Sequence, residues 1–163
     1  MMIYQLADIL ARLCLASVAA TANAYESPSA RARYWSTKGQ PAALLCIEIA
    51  ERAKEHDLDP LELIALSWVE SRHTPKLTSS AGAVGPLQVM LKYWHRDGDR
   101  DHITAGLRAW AYYRAHSATA QEAAGKYNGG GAQSAYAQEY QKHLEKLRRD
   151  ADIYSAHTGG AWR

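Results

Sequence analysis

The sequence predicts a mainly α-helical single domain, and three observations carry that prediction. Apolar residues recur at helical spacing in several separate segments, and no segment alternates convincingly with period two. A chain of 163 residues has room for one core of ordinary size and not for two. Hydrophobic residues at 47% and charged residues at 22% belong to a globular chain, which excludes wholesale disorder and a multi-span membrane protein. The net charge of +2 is far from the dense basic stripe of a nucleic-acid binder, so no nucleic-acid partner is expected.

Residues 1–24 read as a secretory signal peptide. An apolar run from Leu13 to Ala20 follows Arg12 and leads to Ala22-Asn23-Ala24, a small-x-small cleavage pattern. Asp8 beside Arg12 removes the usual positive excess, and the alternative is an amphipathic N-terminal helix that stays in the fold. Cleavage after Ala24 would take Cys14 away from Cys46, so no intramolecular disulfide is expected, and Cys46 in an apolar run reads as a small buried hydrophobe. The leader implies a periplasmic or secreted destination. Residues 25–40, rich in Ser, Ala and Arg with Pro28 and Gly39, read as a mobile lead-in.

The domain proper spans 41–149. From Pro41 to about His56, Leu44, Leu45, Ile47, Ile49 and Ala53 alternate with charged residues at helical spacing. Asp59-Pro60-Leu61-Glu62 then has the form of a helix start, and that helix runs to about Ser71. A loop composition from Thr74 to Gly85, a short apolar segment from Leu87 to Trp94 and a charged turn at 96–101 leave room for a small β-hairpin. Helical spacing resumes from Ile103 to about His116, after Thr119 in a second capping box, and from about Gln133 to Arg149. Residues 150–163 read as a flexible tail.

Glu70 is the informative residue. The segment from Leu63 to Val69 is apolar on nearly every side, as a helix surrounded by protein must be, and Glu70 lies in line with Leu63 and Leu66. A carboxyl group there loses hydration, which raises its pKa and keeps it protonated near neutrality, as a general acid must be. From Ser71 to Arg96 there is no Asp or Glu, so the following loop offers hydroxyls and amides and no second carboxylate for a paired mechanism.

Three motifs in order, Glu70-Ser71, Gly82-Ala-Val-Gly85-Pro-Leu-Gln88-Val and Ala124-Gly-Lys-Tyr127-Asn128-Gly-Gly130, resemble those of the soluble lytic transglycosylase catalytic domain. His102-Ile103 through Gly106 and the pair Tyr136, Tyr140 resemble its remaining, fainter motifs, so the likeness covers roughly residues 43–147. Pro86-Leu87 and His102 depart from the family pattern without touching the acid. The resemblance implies a lysozyme-like fold and cleavage of the bond between N-acetylmuramic acid and N-acetylglucosamine in peptidoglycan, leaving 1,6-anhydro ends. It implies Glu70 as the single acid/base, Ser71 and Gln88 on the saccharide, Tyr127 and Asn128 shaping the pocket, and Tyr136 on the same wall. The modest size resembles that of specialised enzymes that open the wall for secretion, conjugation or pilus machines, whose components would be partners.

Taken singly, Ser71 as a helix cap, Gln88 as a surface amide, Asn128 as a turn residue and Tyr136 as core are the plainer readings. Two rival functions remain: a goose-type lysozyme using water as nucleophile, and a non-catalytic glycan-binding or scaffold protein. Seven His without metal-ligand spacing, and a triple glycine at 129–131 with no Lys-Ser/Thr after it, give no metal or cofactor expectation.

Overall fold

The computed structural model describes residues 2–158. In chain order the helices are α1 (Met2–Ala22), α2 (Pro28–Tyr34), a π-helical turn (Trp35–Gly39), α3 (Gln40–Glu55), α4 (Pro60–Ser71), α5 (Leu91–Trp94), α6 (His102–Ala115), α7 (Ala120–Tyr127) and α8 (Ala135–Thr158). The domain is mainly α, as expected. No described helix is long and apolar enough to cross a membrane.

α4 is the axis of the packing. Asp59 Oδ1 accepts the Leu61 N–H at 2.8 Å and Pro60 opens the first turn, so the start follows its capping sequence. Every residue from Leu61 to Ser67 is buried, with α3 and α8 packed against it. Burying side chains such as Leu63, Ile64 and Leu66 is worth about 1.5–3 kcal/mol each. The helix ends where Arg72 and His73 turn left-handed, at φ 54° and 58°. Glu62, the polar member of the buried run, is held by Arg114 at 3.2 Å and Arg148 at 3.4 Å, which ties α4 to α6 and α8. On the other flank Arg52 of α3 reaches Asp101 at 2.7 Å, the residue that caps α6 through Thr104.

In the full-length chain the N-terminal segment folds as α1 and packs on the domain. α1 presents Ile9, Leu10, Leu13, Cys14 and Val18 inward, all buried, while Asp8 and Arg12 pair on the outer face at 3.0 Å. This stripe at helical spacing lies against α3 and α8. Cys14 and Cys46, which cleavage would have separated, are joined in a disulfide between α1 and α3. The expected mobile lead-in is likewise ordered as α2 and the π turn. Ser27 caps α2 by accepting the Ala30 N–H at 3.0 Å, and Tyr34 packs on Val18, Ala42 and Ala43.

At the other end α8 continues through Thr158, beyond the helix end expected near Arg149, because Leu147 and Ala151 remain buried and Tyr154 donates to Asp8 of α1. The part of the expected tail after Thr158 lies outside the described residues. The room left for a hairpin is taken by two isolated antiparallel bridges, Thr78 with Val84 and Val84 with Val89; no strand forms among the described residues.

Cross-linking positions 32 apart in sequence restricts the unfolded chain, so Cys14→Ser is expected to lower stability by about 3–4 kcal/mol. A urea denaturation midpoint unchanged from the oxidised parent would mean that α1 is not docked in solution.

Candidate active site

Glu70 sits in the last turn of α4, half-buried, after the fully enclosed stretch has lifted it out of bulk water. Burial pushes its carboxyl up to about 7, and the one opposing influence is the hydrogen bond that Tyr136 donates to Oε1 at 2.5 Å. Tyr136 lies in the first turn of α8, which packs along α4, so the tyrosine reaches the acid from the neighbouring helix. Its own hydroxyl is pushed well above the ordinary range, chiefly by burial and then by the Glu70 charge, and stays protonated as a donor. One carboxylate oxygen is thus engaged while the other is left to carry the proton.

Tyr127 closes the site from α7. Its ring lies 6.1 Å from that of Trp110 and 5.8 Å from that of Tyr113, and its hydroxyl donates to the Leu87 carbonyl at 2.7 Å. Burial raises its pKa, with the charge of Glu70 as the next cause, which brings Tyr127 into the field of the acid. Asn128 follows as the exposed C-terminal cap of α7. A tight approach sets this corner: a Cβ at Gly125 would lie 2.4 Å from the Gly131 carbonyl oxygen, so only glycine lets the 129–131 loop fold back on α7.

The loop after α4 is stapled to that helix. Ser71, expected on the saccharide, is buried; its hydroxyl lies 2.8 Å from the Pro86 carbonyl as donor and accepts the Thr74 N–H at 3.1 Å. Those bonds use the hydroxyl inside the protein, so Ser71 positions the loop. Gln88, with φ 46°, donates its amide to the carbonyls of Leu77 at 3.0 Å and Gly85 at 2.9 Å. The nitrogen is spent on the loop and the amide oxygen is left for other partners. Gly106 lets α6 sit against this segment, because a Cβ there would meet Leu87 at 2.6 Å.

His73 and Trp68 escaped the sequence reasoning. His73 is fully buried and bonded through Nδ1 to Ser67 Oγ at 2.9 Å, and burial pushes it down to about 3, so it stays neutral. Trp68 is half-buried, stacked on His143 at 5.5 Å with Arg72 over its ring. A buried left-handed His after a helix has no signature in sequence spacing. Among the described residues no three His, Cys, Asp or Glu side chains converge as a metal site requires.

No family model, curated protein or solved structure matches the chain.

The raised pKa has a stability consequence. The folded state holds a proton on Glu70 between 4.5 and about 7 that the unfolded chain releases, so stability falls as pH rises through that window. Glu70→Gln, which mimics the protonated form, is therefore expected to be about 3 kcal/mol more stable than the parent at pH 8 and no more stable at pH 4, by urea denaturation. Equal stability at both would mean that Glu70 is solvated. Tyr136→Phe removes the hydrogen bond that holds the pKa down, and a titration followed by carboxyl NMR should place Glu70 higher by about one unit.

Proposed function

We propose that the protein is a peptidoglycan lytic transglycosylase with a lysozyme-like arrangement around α4, working on the outer side of the cytoplasmic membrane. The observation that carries this reading is Glu70: a lone carboxyl on a buried helix, pushed to about 7, with Tyr136 as its partner. A single acid poised near neutrality suits a reaction in which one residue first gives and then takes a proton. The disulfide between Cys14 and Cys46 supports an oxidising compartment.

In the first step, Glu70 protonates the oxygen between N-acetylmuramic acid and N-acetylglucosamine, and the bond to C1 of the muramic acid breaks. The substrate's acetamido oxygen stabilises the positive charge at C1, where a paired-carboxylate enzyme would use a second acid. The carboxylate of Glu70 then removes the C6 hydroxyl proton as that oxygen closes on C1, which forms the 1,6-anhydro ring and restores the acid. Tyr136 holds Oε1 throughout, so Oε2 is the oxygen that exchanges the proton. Tyr127 and Asn128 wall the pocket, and the Gln88 amide oxygen faces the saccharide. Local opening of the wall for an envelope-spanning machine is the role that a domain of this size suits.

Digestion of purified peptidoglycan by the parent and by Glu70→Gln tests the reading. The parent is expected to release muropeptides one water lighter than reducing-end products, with a loss of about a thousandfold or more in the variant. Reducing-end products would establish a hydrolase instead, and no release by either protein would favour a glycan-binding scaffold. The rate should fall as pH rises above about 7, as Glu70 loses its proton.

A further inference from the structure

Two clefts flank the π turn that precedes α3. The larger, about 450 Å³, lies between that turn and the loop after Glu70, with Thr37 and Lys38 on one side and Ser71, Arg72 and Thr74 on the other. The second, about 370 Å³, lies between the π turn and the start of α2 and adds Tyr25 and Arg33. Tyr34, Thr37 and Lys38 belong to both, so the clefts adjoin along one wall. No carboxylate lines either. Arg72 is engaged by Glu139 at 2.9 Å, whereas the exposed Arg33 and Lys38 side chains make no ion pair among the described residues.

This wall is built and not incidental. A π turn adds a residue to the helical circuit, is rare, and is frequently found at functional sites. Here it is braced by Thr37, whose hydroxyl donates to the Arg33 carbonyl at 2.7 Å. Gly39 is wedged so closely that a Cβ would lie 2.7 Å from the Trp35 ring and 3.3 Å from Val18 of α1. The Tyr25 and Tyr34 rings, 5.3 Å apart and inclined by 32°, add flat apolar faces beside the free cations. Unpaired positive charge, aromatic faces and volumes well beyond a small inorganic anion together fit an extended acidic chain.

We infer that the paired clefts around Tyr34, Thr37 and Lys38 bind the acidic peptide that the muramic acid lactyl group carries, so that the enzyme reads the stem peptide as well as the glycan. The inference rests on the peptidoglycan reading and deepens it. The carboxylates of the peptide meet Arg33 and Lys38, and its backbone lies along the Tyr25 and Tyr34 rings. Leu77 lines the larger cleft and its carbonyl accepts from the Gln88 amide at 3.0 Å, so a peptide held there lies against the loop that carries Gln88. The residues that supply the free charge precede the part of the chain that resembles the transglycosylase domain.

Calorimetric titration of full-length Glu70→Gln, with and without Arg33→Ala and Lys38→Ala, tests this with three probes: an N-acetylglucosaminyl-muramyl tetrapeptide, the same disaccharide without peptide, and the free acidic tetrapeptide. The peptide-bearing probe should bind about tenfold more tightly than the bare disaccharide, and the double substitution should abolish that difference while leaving the bare disaccharide unaffected. Equal binding of the two, or an advantage that survives the double substitution, overturns the inference. Should the parent neither bind nor cleave glycan, the free tetrapeptide decides alone: binding that needs Arg33 and Lys38 sustains the clefts and sinks the glycan reading, and no binding sinks both. Normal cleavage of glycan by the parent with no peptide effect sinks the clefts alone.

Discussion

Removing the Glu70 carboxyl from water at the end of a helix that is itself inside the protein is the constraint on which the rest of the structure depends. A carboxylate on an exposed helix end would ionise near its ordinary value and would be a poor acid at neutrality. α4 changes that because α3 and α8 pack against it and every side chain from Leu61 to Ser67 is buried. The cost is borne by the folded state, which loses stability as the proton leaves. The surroundings of α4 therefore have to be over-determined, and the ion pairs of Glu62 with Arg114 and Arg148 bind three helices at the buried end where a loose fit would admit water.

The two ends of the chain serve the same enclosure. α1 covers α3 with a stripe of apolar side chains, and the Cys14–Cys46 bond fixes that cover covalently. α8 runs past the length its central stripe would need and meets α1 through Tyr154 and Asp8. This closes a ring of contacts from α1 through α3 and α4 to α8. The π turn rests on α1, so the wall that carries Lys38 takes its position from the N-terminal helix.

The loop between α4 and α5 shows how the residues of a motif can divide their labour. Ser71 and the nitrogen of Gln88 are committed to carbonyls of the loop, and Tyr127 reaches across to the Leu87 carbonyl. These polar groups tie the loop backbone to α4 and α7, and they fix the surroundings in which Tyr136 meets the Glu70 carboxyl. Tyr136, on its motif alone the weaker candidate, makes the contact with the acid, because α8 lies along α4 and delivers it there.

The sequence by itself determined the main helices of the central domain, the caps at Asp59 and Thr119, and the position of Glu70 at the end of an enclosed helix, because periodicity, capping chemistry and an apolar run are local properties that neighbouring residues express. Where a segment was locally ambiguous the sequence could not decide. The stripe of Ile9, Leu10, Leu13, Cys14 and Val18 is as apolar as a leader and as periodic as a core helix, and its docking against α3 and α8 appears only in the tertiary structure. The same holds for the Ser- and Arg-rich stretch before α3, which takes its shape from the faces it rests on. The hydrogen bond from Tyr136 to Glu70 and the pairing of Cys14 with Cys46 span 66 and 32 positions. Only tertiary packing decided them, since contact at that separation depends on how helices lie together and not on any residue's neighbours.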